Sequence, residues 1–151
     1  MIGAMLAALL VAIAMIDART MRIPDVLNLM VFALGCLAVV VVKHLTPSWA
    51  LVSTMVGATV MWLVRWGYQQ LRGRQGLGLG DVKFIGAAGP WVGIEGFAPM
   101  ILIAAIAALL WLGIDRATRD PVGRWTVVPF GPFLALGLFI VWLRDCFVGS
   151  L

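Results

Sequence analysis

The sequence predicts an all-α integral membrane protein of about six transmembrane helices, the fourth of them short or broken. Three observations predict it. Of the 151 residues, 63% are hydrophobic and only 12% charged, and the mean hydropathy is +1.06, far outside the range of soluble domains. The apolar residues fall into runs of membrane-span length separated by short polar connections, and the basic residues gather in alternate connections. A span needs about 20 residues, so residues 1–151 have room for one membrane-embedded domain and no sizeable soluble one.

The first apolar run, residues 1–16, ends at Asp17. It has no basic n-region and no small-x-small cleavage site, so it reads as a retained helix and not as a secretory signal. Sixteen residues give about 24 Å of helix, a little short of the hydrocarbon thickness. Asp17 is therefore expected at or just inside the membrane face. In the connection 17–25, Pro24 biases Ile23 away from α and can open the next helix, where Asp25 suits the N-terminus. Residues 26–42 form the second span. The connection 43–48, with Pro47, turns the chain into a third span, 49–66, in which Trp62 and Trp66 read as an interfacial belt.

A polar stretch, 65–83, then carries Gly76-Leu77-Gly78-Leu79-Gly80-Asp81-Val82-Lys83. Glycines at alternate positions let another backbone approach closely. Residues 84–96 are a short apolar segment broken at Gly89-Pro90, an arrangement tolerated at membrane depth where it is buried in protein or lines a wet cavity. Residues 99–114 form the fifth span, 115–128 a polar loop and 129–143 the sixth.

Charge placement sets the orientation. The connections after spans one, three and five hold nine basic residues: Arg19 and Arg22, then Arg65, Arg72, Arg74 and Lys83, then Arg116, Arg119 and Arg124. The opposite side holds two, Lys43 and Arg144. The positive-inside rule puts the first set in the cytoplasm and both termini outside, with Asp17 and Asp81 together on the cytoplasmic face. The net charge of +4 and pI near 9.8 thus record topology and not affinity for nucleic acid. Cys36 and Cys146 make no CxxC pair, and His44 stands alone. No metal or other cofactor is expected, and a Ser-His or Cys-His nucleophile has little to build on.

Asp17 and Asp81 lie 64 positions apart, each at the end of an apolar span. If the first and fourth spans pack together, the two carboxylates converge and share one proton. One would then take a proton from water as it attacks a carbonyl, while the other polarises that carbonyl and helps the amine leave. Plainer readings exist for each residue. Asp17 could pair with Arg19 or Arg22 at a helix end, and Asp81 could be a helix cap. Asp25, Asp115, Asp120, Asp145 and Glu95 read as caps or solvated charges. Lys83 could mark the membrane boundary by snorkelling or could tune the pair.

The glycine-rich octapeptide resembles the Gly-x-Gly-Asp-x-Lys signature of type IV prepilin peptidases, bacterial leader peptidases of the GxGD intramembrane aspartyl protease class. Ile16-Asp17 followed by Arg22-Ile23-Pro24-Asp25 is similar to that family's first-aspartate segment. Val128-Pro129-Phe130-Gly131-Pro132 with the following residues to Gly137 looks like its last-helix segment. The likeness runs from Asp17 to Gly137. It implies an aspartyl endopeptidase that removes the basic leader of type IV prepilin or pseudopilin precursors at the cytoplasmic face of the bacterial inner membrane, cutting after a glycine. Carried over, it gives Asp17 and Asp81 the catalytic roles and lets Gly78 and Gly80 shape the approach to Asp81; with Lys83 these are the candidate substrate-binding residues.

Many members add a cytoplasmic domain with paired CxxC motifs that N-methylates the new pilin terminus. This sequence has no CxxC and resembles the compact, peptidase-only members. The competing readings are a GxGD protease acting on another membrane substrate and a small proton- or cation-coupled transport component. A transporter would place its carboxylates near the bilayer midplane, often between repeated halves. Here they lie at span ends on one face, and no repeat is evident.

Overall fold

A chain immersed in lipid must satisfy its backbone polar groups internally, and apolar runs of this length do so as helices. The computed structural model describes residues 2–41, 47–73, 76–118 and 128–148. Among them are five helical elements: α1 (Ile2–Thr20), α2 (Asp25–Val41), α3 (Pro47–Arg72), α4 (Leu79–Thr118) and α5 (Gly131–Val148). Three helices, Ile2–Thr20, Ser48–Arg72 and Leu79–Ala117, are long and apolar enough to cross a membrane, and Asp25–Val41 is a shorter apolar helix. His44 lies outside the described residues.

The expected count of six spans does not emerge from the described residues. The fourth and fifth expected spans are joined in α4, a 40-residue element interrupted by Gly93, whose φ of 66° and ψ of −174° are not helical. The break therefore falls at Gly93 and not at Gly89-Pro90. Only glycine adopts this conformation cheaply. The corner is sharp: Cβ atoms four residues apart on a helix are about 5–6 Å from one another, whereas a Cβ on Gly96 would come within 2.5 Å of Val92 Cβ.

Helix ends also run past the apolar runs. α1 continues to Thr20, so Asp17 sits within its last turn and not beyond it. Thr20 Oγ1 donates to the Ile16 carbonyl at 2.9 Å, and the Met21 N–H donates to the Asp17 carbonyl at 2.8 Å. Met21 then leaves the helix with φ of 51°. α3 carries its polar end through Arg72 and stops at Gly73, which has φ of 63°.

The first part of α4, residues 79–92, is the centre of the molecule. Phe84, Ile85, Ala88 and Trp91 are almost wholly inaccessible, and α2, α3 and α5 pack around α4. Gly89 allows this closeness, because a Cβ there would lie 2.6 Å from the Thr54 nitrogen of α3. Trp91 Nε1–H donates to the Val31 carbonyl of α2 at 2.9 Å in a buried position. Gly80 sits beside Ile23, so α2 and residues 79–92 run side by side in the same direction. That register brings the 21–24 connection and the start of α4 to one end of the bundle.

Candidate active site

At that end the last turn of α1, the first turns of α2 and α4 and the approach to α5 surround a cavity of about 710 Å³. Asp17 and Asp81 both line it, together with Asp25, Gly78, Gly80 and Phe130. Both aspartates thus border one cavity, but not by the expected route: among the described residues α1 and α4 do not pack against each other, and each packs instead against α2 and α5.

Asp17 is only 5% exposed. The Gly131 N–H, at the start of α5, donates to its Oδ2 at 2.9 Å. Its carboxylate thus faces Gly131, while Arg19 and Arg22 are exposed. Residue 131 must lack a side chain for this contact, since a Cβ would lie 2.7 Å from Asp17 Oδ2 and 2.8 Å from its Cγ. A buried carboxylate needs such a donor, because desolvation without a hydrogen bond is costly.

Asp81 is half-buried in the first turn of α4. Its Oδ2 accepts the Gly78 N–H at 3.2 Å. A third-position side chain returning to the residue before the helix is one half of a capping box. Asp81 therefore caps α4 while its carboxyl group lines the cavity, and the two readings of this residue are compatible. The glycine-rich stretch divides at this point: residues 76–78 are non-helical, whereas Gly80 and Asp81 are already in the helix. A Cβ on Gly80 would meet Ile23 Cβ at 3.4 Å, so part of the close approach at this glycine is to the connection between α1 and α2.

Lys83 is turned elsewhere. Its Nζ lies 2.8 Å from both carboxylate oxygens of Asp25, an exposed pair linking α4 to α2. Asp25 lines the cavity and Lys83 does not. Among the described residues no group of three or more His, Cys, Asp or Glu is placed to hold a metal ion.

Sequence reasoning gave no role in the site to Gly131 or Arg65. Gly131 lies in a segment singled out for its pattern, but its contact with Asp17 joins residues 114 positions apart. Arg65, counted as a topology signal, donates from Nη1 to the Leu77 carbonyl beside Gly78. Asn28 is a further buried polar side chain, with no protein partner for either amide atom among the described residues.

The model of the type IV leader peptidase family matches residues 4–113. The chain is 36% identical over 155 residues to a prepilin leader peptidase/N-methyltransferase of Xanthomonas campestris pv. campestris, covering 97% of this chain and 51% of the relative. A protein of the same description from Dickeya chrysanthemi is 35% identical over 142 residues, covering 90% and 48%, and one from Dichelobacter nodosus 31% over 143 residues, covering 94% and 48%. The chain spans about half the length of these curated relatives. No solved structure gives a significant match. The matched residues take in Asp17, Asp81 and the glycine-rich turn leading into α4, while Val128, Pro129 and Phe130 of the cavity lining lie beyond them, and the chain belongs to the type IV leader peptidase family.

Proposed function

We propose that this chain is an aspartic endopeptidase that removes the leader of type IV prepilin-like precursors, with Asp17 and Asp81 as its acid/base pair. The observation that carries this reading is that, of the three carboxylates lining one cavity, Asp17 and Asp81, from distant parts of the sequence, each accept a backbone N–H, while Asp25 is paired with Lys83. The relatives' description as prepilin leader peptidases supports the substrate class.

In this mechanism one carboxylate is ionised and the other protonated. The ionised group takes a proton from water as the water oxygen bonds to the scissile carbonyl carbon, and the protonated group gives its proton to the carbonyl oxygen. As the tetrahedral diol collapses, the carboxyl group that took water's proton gives it to the amide nitrogen while the carbon–nitrogen bond breaks, and the other carboxylate takes back a proton from the diol hydroxyl. Gly131 and Gly78 hold the carboxylates in place, which matters because small misplacements at a reacting centre are costly. Gly78 and Gly80 keep the approach to Asp81 open to an extended peptide. Lys83 acts here through Asp25 at the rim. The positive-inside pattern supports a cytoplasmic site in the bacterial inner membrane, with lipid around the bundle.

The test is cleavage of a co-expressed prepilin in membranes by wild type, Asp17→Asn and Asp81→Asn, each confirmed to accumulate. The expected outcome is leader removal by wild type and loss of at least a thousandfold in each variant. Full cleavage by either variant removes that residue from the pair. If the wild type cleaves no prepilin from its own source, the substrate assignment fails.

A further inference from the structure

The chain between α3 and α4 is fastened at two points before it reaches Asp81. Gly76 lies against the Tyr68 ring, where a Cβ would come within 2.4 Å of Cε1. One residue later, Arg65 Nη1 of α3 donates to the Leu77 carbonyl. That carbonyl and the Gly78 N–H belong to the same peptide group, and the Gly78 N–H is the one donated to Asp81 Oδ2 at 3.2 Å. In a trans peptide the C=O and N–H point in opposite directions across a rigid plane. Fixing the oxygen therefore fixes the direction of the N–H.

We propose that Arg65 is a positioning residue for Asp81, acting through the Leu77–Gly78 peptide: the guanidinium holds and polarises the carbonyl, and the peptide N–H thereby aims and strengthens its bond to the carboxylate. This deepens the reading of Asp81 as half of the acid/base pair and rests on it. Several observations converge. Arg65 is partly buried, so its charge is less screened than that of an exposed arginine. A cationic donor on one side of an amide also strengthens the hydrogen bond made on the other. Arg65 does not line the cavity, while Leu77, Gly78 and Asp81 do. It is therefore placed to influence the rate of the chemical step and not the capture of substrate.

The test has two arms on the full-length protein in membranes or detergent. The first compares prepilin cleavage by wild type, Arg65→Met and Arg65→Lys at equal amounts of protein. Arg65→Met is expected to lower kcat about ten- to a hundredfold with KM changed less than twofold, and Arg65→Lys to recover most of the loss, because an ammonium also donates to a carbonyl. The second arm needs no substrate: the infrared carboxyl bands of Asp81, isolated as the difference between each protein and its own Asp81→Asn counterpart, are expected to shift in Arg65→Met and return toward wild type in Arg65→Lys. Unchanged Asp81 bands in Arg65→Met overturn the proposal whatever the substrate. A rise in KM at unchanged kcat also overturns it and makes Arg65 a substrate contact. Bands that shift in Arg65→Met, beside a wild type that cleaves no prepilin, would uphold the positioning role and sink only the substrate assignment.

Discussion

Gly131 shows how much one missing side chain decides in this site. Its N–H reaches Asp17 Oδ2 at 2.9 Å only because no Cβ occupies the space 2.7 Å from that oxygen. Gly131→Ala is expected to accumulate normally and to cut prepilin cleavage about a hundredfold, since α5 or the Asp17 carboxylate must yield; a steady-state cleavage assay with immunoblotting of membranes checks both halves. Lys83 and Asp25 present the opposite case. Their ion pair is short but exposed on both sides, and such pairs contribute little to stability. Lys83→Met is expected to leave the melting temperature in detergent within about 2 °C of wild type, measured by intrinsic fluorescence.

At the scale of elements, α4 carries both the centre of the bundle and its sharpest corner. The two glycines near that corner are constrained differently. Gly93 needs its positive φ but has open space around it, whereas Gly89 has helical surroundings and the α3 backbone 2.6 Å from where a Cβ would stand. Gly93→Ala is therefore expected to cost about 1–3 kcal/mol, because φ of 66° with ψ of −174° lies in a region that is essentially glycine's alone and not in the left-handed helical one. Gly89→Val must separate α3 from α4 and is expected to cost more, with reduced accumulation, because interhelical backbone contact cannot be recovered by side-chain movement. Urea or thermal unfolding of the purified proteins would order the two; equal losses would contradict this account of α3–α4 packing. Composition alone pointed to Gly89-Pro90 as the break because both residues disfavour helix. Packing kept that turn helical and moved the bend to the neighbouring glycine.

For the whole molecule, the solvent is lipid around the sides and water at the ends. Met55, Leu102 and Leu109 lie outward and exposed, which suits an apolar surround and would be a liability in water. The cavity opens at the end of the bundle where Arg19, Arg22 and Arg72 also lie. With Cys36 and Cys146 replaced by Ala, single cysteines at Arg19 and Arg72 are expected to react with a membrane-impermeant thiol reagent only after the cytoplasmic side is opened, and a cysteine at Trp49 in intact cells. Labelling of the first two in intact cells would invert the proposed orientation.

The sequence by itself determined that the chain is an all-helical membrane protein and where its apolar runs lie, and it singled out two aspartates that border one cavity. These follow from hydropathy, charge placement and local glycine and proline chemistry, all of which act over short stretches of chain. It did not reveal that Asp17 lies inside α1, because polar residues can extend a helix beyond its apolar run, or that residues 79–92 form the core. Only the tertiary structure decided the partners of the site: Gly131 for Asp17, the Arg65-held peptide for Asp81, and Asp25 for Lys83. The Asp17 and Lys83 contacts join residues far apart in the chain, and even the local Gly78–Asp81 bond depends on α3 to orient its peptide. Their energies depend on the packing of helices against one another, which no periodicity along a single segment records.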